Sequence, residues 1–354
     1  MSKTSKSPKA VAAAAYRTAC DTLPEDFSPY SPRKFTQPQL MVCLVLKAFF
    51  NTDYRGIVQL LDDCPDLCKV FALTTVPHFT TLQKASRRLL NTCNTEKMLE
   101  RTVKIALGRR KTVKLAAMDS TGLEARHCSR YFVRRRRSKQ LQTLEETTYT
   151  RFPKLAIVCD CQTHLILSVI STRGPSVDIN QFRRTLKPAA QIVRIAHLLA
   201  DAGYDSEANH AYARQTYNIK TTIPAKAGRP TTKLPKTKYR KLMATDFDKE
   251  NYGQRWQSET VISMIKRNFT DSLSARSYWP QCRDMVLLVL THNLAIILLV
   301  KELFYRAGQT LFLATTSCYL RILATISAAP LSLFVVAFHL RNLRLLPSSF
   351  VPRA

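Results

Sequence analysis

Acidic residues are scarce in this chain. Asp and Glu number 25 against 54 Lys and Arg in 354 residues, a formal net charge of +29. An excess of that size attracts a polyanion over much of the surface, and nucleic acid leads the candidate partners. The cysteines, 10 in all, lack the arrangement a zinc site needs. Cys64-x3-Cys68 and Cys159-x-Cys161 are the close pairs, and no second pair or His-x3-His completes either. They read as reduced cytosolic thiols. Residues 1–15 have a basic start and an alanine run, but no apolar stretch long enough for a secretion signal. The expected location is the cytoplasm, associated with the nucleoid.

What is present is enough hydrophobic material, 45% of residues, for one large globular domain preceded by a helical subdomain. Residues 1–37 are Lys/Ser/Pro-rich and read as a basic, loosely ordered arm. From Pro38, a residue tolerated in a first helical turn, the pattern becomes helical. Leu40, Cys43, Leu44, Val45, Leu46 and Phe49 form an apolar stripe, Tyr54 to Leu61 a second short helix, and Thr80 to Leu90 a third, after Pro77. Two readings stand for residues 38–110: a DNA-binding helix-turn-helix unit with a basic third member, or a plain helical bundle whose charges are solvated.

After a further helix around Thr95 to Leu107 the character changes to strands. Val113 to Met118 is an apolar run ending in Asp119 and a turn, the position at which an open α/β sheet presents a site. Arg134, Arg135, Arg136 and Arg137 form a dense block of like charge in an expected loop, a candidate contact for a nucleic-acid backbone. Lys154 to Asp160 and His164 to Ser171 read as a β-hairpin. Asp178 to Leu186 is helical, Ile195 to Ala200 is a second buried strand ending in acid, at Asp201, and Ser206 to Tyr217 is another helix. A strand follows at Ile219 to Pro224, then a Lys/Arg/Pro-rich insertion at 225–250, read as a basic loop or small lobe. The order predicts an α/β catalytic domain at 111–305: an RNase H-like mixed sheet flanked by helices, preceded by the α-helical N-terminal subdomain.

The last helix of that series carries Tyr252, Arg255, Glu259 and Lys266. At about 100° per residue these four fall within an arc of roughly 60°, while Val261, Met264 and Ile265 point to the other side. A carboxylate between a guanidinium and an ammonium can hold a metal ion and has cations beside it for phosphate oxygens. The alternative is an ordinary amphipathic surface helix with a solvated Arg–Glu pair.

The spacing Tyr252-x2-Arg255-x3-Glu259-x6-Lys266 resembles the DDE transposases of bacterial insertion sequences, in particular the group named for this signature. Asp119-Ser120-Thr121-Gly122 and Asp201-x-Gly203-Tyr204-Asp205 are similar to that group's regions around its first two catalytic acids, and the resemblance spans roughly Thr36 to Tyr305. It implies that Asp119, Asp201 and Glu259 are catalytic and bind two Mg²⁺ ions, with Mn²⁺ as a substitute. It also implies that Tyr252, Arg255 and Lys266 contact DNA at the transposon end. The implied partners are the terminal inverted repeats, target DNA and a second copy of the chain on DNA, with no small-molecule substrate. Asp205 rivals Asp201 for the second position. Asp201 ends its strand directly, whereas Asp205 stands before a helix as a candidate N-cap. His197, inside the same strand, reads as a packed residue.

Met285 to Val300 suits a last buried helix, and residues 306–354 depart from the resemblance. Ile322 to Leu340 is uncharged and close to the roughly 20 residues that span a bilayer, with Arg321 and Arg341 flanking it and Pro330 in its middle. A non-family tail from read-through or a frame change is preferred over a membrane span, and a docked hydrophobic extension is the third option. The function expected is that of a transposase. A nuclease on the same fold, or an inactive DNA-binding remnant, are the alternatives.

Overall fold

The computed structural model describes residues 4–30, 33–108, 112–126, 131–137, 144–225 and 234–298, with 131–137 and 144–150 described as backbone. The tail at 306–354, including Ile322 to Leu340, lies outside them. Residues Met1–Lys301 form one compact unit.

Helix α1 (Pro8–Thr22) replaces much of the expected loose arm. The alanine run has the highest helix propensity of any residue type, Pro8 suits the first turn, and Ser7 accepts from the Ala10 N–H. Val11, Ala12, Ala15 and Ala19 are fully buried, so the arm is part of the core. Helix α2 (Gln37–Phe49) opens with a capping box between Thr36 and Gln39. Then come α3 (Tyr54–Asp63), α4 (Pro65–Lys69), α5 (Phe79–Leu89) and α6 (Thr92–Leu107). The Tyr54 hydroxyl lies 3.0 Å from Ser86 Oγ, which joins α3 to α5.

Strand β1 (Thr112–Gly122) begins the sheet, followed by a two-residue β2 (Glu124–Ala125). β3 (Tyr131–Arg137) and β4 (Leu144–Thr150) form a separate antiparallel ribbon. The arginine block expected in a loop therefore lies in a strand. Tyr131, Phe132 and Val133 are strong strand formers, and they pair with Thr150, Tyr149 and Thr148 opposite. β5 (Phe152–Asp160) and β6 (Ile166–Gly174) are the expected hairpin. The Asp160 carboxylate accepts from the Gln162 N–H at 3.0 Å and from Thr163 Oγ1 at 2.6 Å, which shapes its turn.

Next are α7 (Phe182–Ile192), β7 (Arg194–Ala200), α8 (Glu207–Ala211), continued by a π-helical turn at Tyr212–Thr216, and β8 (Lys220–Thr222). Of the expected basic insertion, residues 226–233 lie outside the described part. Its second half is helical and anchored: α9 (Lys238–Thr245) buries Met243. Its first-turn N–H groups at Tyr239 and Arg240 donate to the Glu207 carboxylate, and the Arg240 guanidinium grips Asp205 at 2.9 Å. A single well-placed arginine and an acceptor for the helix start were enough, despite the sparse apolar pattern. The chain continues through α10 (Lys249–Tyr252), a 3-10 turn at Gly253–Arg255, α11 (Trp256–Asn268), β9 (Ser272–Leu273) and α12 (Tyr278–Leu298). The Tyr252-to-Lys266 signature thus passes through a 3-10 turn at Gly253–Arg255, with the backbone staying right-handed helical, and does not ride one uniform α-helix. α12 is long and apolar enough to cross a membrane by length and composition, but most of it is buried in the protein.

The five-stranded sheet has the order β6-β5-β1-β7-β8. β1, β7 and β8 are parallel, and β5 and β6 are antiparallel to their neighbours. Side chains alternate between its faces. Ala117, Ile157, Cys159 and Leu199 join a core with α11, α12 and the N-terminal helices. Met118, Val158, Leu198 and Ala200 join the other core with α6 and α7. The helical N-terminal region and one face of the sheet therefore share a single hydrophobic cluster.

Candidate active site

The parallel pairing of β1 with β7 sets the first two acids. Met118 and Ala200 are register partners on strands about 4.8 Å apart, so Asp119 and Asp201 follow them side by side. Asp201 leaves the end of β7, whereas β1 continues past Asp119 to Gly122 instead of turning there, because residues 119–122 stay paired with β5. Alternation decides the direction. Asp119 has the parity of Ala117 and Asp201 that of Leu199, both of which face α11. α11 buries Ser258, Val261 and Ile265 against the sheet and leaves Glu259 more exposed. Asp119, Ser120, Thr121, Glu259, Ile262, Ser263, Lys266 and Arg267 line a cleft of about 420 Å³.

Polar contacts fix Asp119 in this cleft. The Ser120 N–H donates to its Oδ1 at 2.7 Å, and the Ser258 hydroxyl lies 3.4 Å from its Oδ2. One Arg255 nitrogen stands 4.0 Å from Asp119 Oδ2, and another donates to Glu259 Oε1 at 2.6 Å. Burial pushes the Asp119 carboxyl up, the Ser120 N–H and the Arg255 charge pull it down, and the charges of Glu259 and Asp201 push it up again, for a net rise. Tyr252, stacked edge-on against Phe247, is held protonated chiefly by burial, with the Arg255 charge opposing.

The donor set is all oxygen, the chemistry that Mg²⁺ and other hard cations take. Among the described residues no three His, Cys, Asp or Glu side chains stand close enough together to hold a metal as they are, and Glu259 is paired with Arg255. The carboxylates nevertheless fit the role. Asp119 feels the repulsion of both Glu259 and Asp201, which a divalent cation would relieve, and Glu259 is held in a half-exposed ion pair, which is weak.

The structure thus brings Asp119, Asp201, Glu259, Tyr252, Arg255 and Lys266 together. Asp205 is elsewhere: its side chain is fully buried, paired with Arg240 and 3.8 Å from His210 Nε2. The helix after it starts at Glu207 with Ser206 in the N-cap position, so Asp205 is not the N-cap either. His197 is packed, its Nε2 2.8 Å from Thr222 Oγ1. Arg134, Arg135, Arg136 and Arg137 lie on β3, with their side chains outside the described part. Sequence reasoning missed Ser120 and Ser258, which contact Asp119, and Lys154 and Asp178, which are linked to it through Ser120. The available signals were Ser258 beside Glu259 and an acid, Asp178, at a helix start just after a strand.

Comparison with protein families matches residues 113–294 to the family described as the transposase DDE domain. The matched span carries all three acids. Among solved structures, a cryo-EM piggyBac transposase synaptic complex with hairpin DNA is similar at 10% identity and a TM-score of 0.41. The match covers 98% of this chain and 84% of that one. The Mos1 strand transfer complex is similar at 10% identity and a TM-score of 0.23, covering 70% of this chain and 82% of that one. A comparison with curated proteins finds no match.

Proposed function

The chain belongs to the transposase DDE domain family, and from that premise we propose that it is the transposase of a bacterial insertion sequence. It binds the inverted repeats at the element's ends and catalyses metal-dependent strand cleavage and strand transfer into target DNA. The observation that carries the reading is the convergence on one side of the sheet: Asp119 and Asp201 leave adjacent parallel strands toward the helix that brings Glu259.

Asp119, Asp201 and Glu259 would hold two Mg²⁺ ions, or Mn²⁺ in their place. Such ions, when bound, activate the attacking water or 3′-hydroxyl and stabilise the leaving oxygen in an in-line displacement at phosphorus. The chain's own residues do the placing. Ser120 and Ser258 hold the Asp119 carboxylate in one orientation. Arg255 presents a fork of N–H donors between Glu259 and Asp119, suited to a phosphate that enters the cleft. Lys266 adds a cation to the wall, and the protonated Tyr252 phenol is a hydrogen-bond donor beside Arg255. The +29 charge supplies the long-range attraction to DNA. The working form is a homodimer on DNA in the cytoplasm, acting at the nucleoid, and no small molecule is consumed.

A strand-transfer assay with a labelled donor end tests this. Joined product in Mg²⁺ supports the transposase. An end that is nicked but never joined identifies a nuclease on the same fold. A gel shift without nicking in either Mg²⁺ or Mn²⁺ identifies a DNA-binding remnant.

A further inference from the structure

Ser120 follows Asp119 on β1, so its side chain leaves on the opposite face of the sheet, the face covered by α7. There its hydroxyl donates to Asp178 Oδ1 at 2.7 Å. The same carboxylate oxygen lies 2.7 Å from Lys154 Nζ, and that ammonium also donates to the Ser176 carbonyl at 2.7 Å. Lys154 is 7% exposed, a charge almost never buried without a partner. Its position on β5, the register partner of Gly122, sets it beneath the end of β1. A buried cation thus fixes a carboxylate, and that carboxylate fixes the residue next to Asp119.

The contact reaches both acid-bearing strands. The Ser120 peptide is gripped twice: its hydroxyl by Asp178, and its N–H by Asp119 Oδ1 at 2.7 Å. Orienting this peptide therefore orients the Asp119 carboxylate on the other face. Beyond β7, a methyl group placed on Gly203 would lie 3.6 Å from Asp178 Oδ2 and 3.9 Å from Asp201 Oδ2. The two carboxylates flank the same turn. The phenol of Tyr204 in that turn is buried, and burial, followed by the Asp178 charge, pushes it up. Asp178 opens the 3-10 turn that leads into α7, whose Phe182 and Leu186 are fully buried, so its backbone is anchored to the second core.

The geometry points to a clamp of Lys154, Asp178 and Ser120 that sets Asp119 and Asp201 in register for the divalent cations from the face opposite the cleft. Asp178 and Lys154 are positioning residues in this account: they touch neither DNA nor the reacting phosphate. The inference rests on the proposed metal-binding role of Asp119, Asp201 and Glu259. Groups that orient ligands from behind cost about 10- to 100-fold in metal affinity or activity when removed. A contact that merely stabilised the fold would leave metal affinity unchanged.

The test measures Mn²⁺ affinity of the full chain by electron paramagnetic resonance, beside DNA gel shift, nicking rate and thermal midpoint. Asp178→Ala should weaken Mn²⁺ binding and nicking by about 10-fold or more while the gel shift stays as in the wild type. Asp178→Asn, which keeps an oxygen to accept from Ser120, should recover part of that loss. Ser120→Ala leaves the Lys154–Asp178 pair intact and should shift Mn²⁺ affinity in the same direction by less. If Asp178→Ala fails to fold because Lys154 loses its partner, Ser120→Ala decides: wild-type Mn²⁺ affinity there overturns the clamp. Wild-type affinity in both folded variants overturns it as well. Asp119→Asn is the control that separates the two claims. If it loses Mn²⁺ binding while Ser120→Ala and Asp178→Ala do not, the clamp alone is wrong. If it binds Mn²⁺ like the wild type, the carboxylate site and the clamp fall together.

Discussion

Arg255 donates to Glu259 Oε1 at 2.6 Å through one guanidinium nitrogen while another stands 4.0 Å from Asp119 Oδ2. The guanidinium stands between two of the carboxylates that would hold a divalent cation. Under the proposed function it would compete with metal in the free protein and offer its donor fork to a phosphate entering the cleft. Arg255→Ala should therefore tighten Mn²⁺ binding in the absence of DNA and weaken binding to the element's end. Arg255→Lys should restore the charge but not the fork, and with it only part of the DNA affinity. Titration with Mn²⁺ and gel shifts on the same preparations check both. Mn²⁺ affinity that falls in Arg255→Ala contradicts this competition.

Asp119 gives a prediction with a definite sign. Its carboxyl is raised by burial, so the folded state holds this proton more tightly than the unfolded chain, and stability falls as pH rises from about 3.9 through the raised value. Asp119→Asn removes the penalty. Without divalent ions its thermal midpoint at pH 7 should exceed that of the wild type, and the gap should narrow as pH falls toward 4. Added Mg²⁺ should raise the midpoint of the wild type far more than that of the variant. Nicking by the wild type should fail on acidification sooner than an ordinary carboxylate would require.

Two buried imidazoles act with the opposite sign. Burial lowers His292 to about 4, opposed by its hydrogen bond to the His164 carbonyl. Burial, aided by the Lys220 charge, lowers His197 to about 4. The unfolded chain takes up these protons below about 6.5 and the folded chain does not. Stability should therefore drop as pH falls from about 6.5 to about 4, by up to ~1.4 kcal/mol per pH unit for each group. Urea midpoints across this range should show the slope, and His197→Asn or His292→Gln should each make it shallower.

Packing under the site can be tested at Ile265, which is 1% exposed and lies in the core shared by the sheet and the N-terminal helices. Ile265→Ala should cost about 3 kcal/mol in denaturant unfolding. Because α11 carries Glu259 and Lys266, nicking at a temperature where the variant is still folded should fall as well.

Much of this architecture is legible in the sequence because local patterns set it. Apolar runs mark the two strands that carry Asp119 and Asp201, though β1 runs on past Asp119 to Gly122, and Val261 and Ile265 mark the buried side of α11. The hairpin shows through the polar turn at Cys161 to Thr163. What escapes depends on partners far along the chain. α1 is stabilised by a core that its own Lys/Ser/Pro flanks conceal, α9 by Asp205 and Glu207 more than 30 residues away, and β3 by a strand beyond the arginine block. The Lys154–Asp178–Ser120 contact joins three segments across the sheet, and no spacing rule places them together. The 3-10 turn at Gly253–Arg255 is likewise hidden, because a helical wheel still puts the four signature residues on one side.

The central claim is that Glu259 belongs to a metal-binding carboxylate set, and Glu259→Gln tests it most directly. The amide keeps the shape of the side chain and its hydrogen-bonding capacity but removes the charge a hard cation requires. Gel-shift affinity for the element's end and Mg²⁺-dependent nicking should be measured together on this variant and the wild type. DNA binding equal to or slightly tighter than the wild type, with nicking lost, is the expected result; nicking at the wild-type rate would contradict the account and leave α11 as an ordinary amphipathic surface helix.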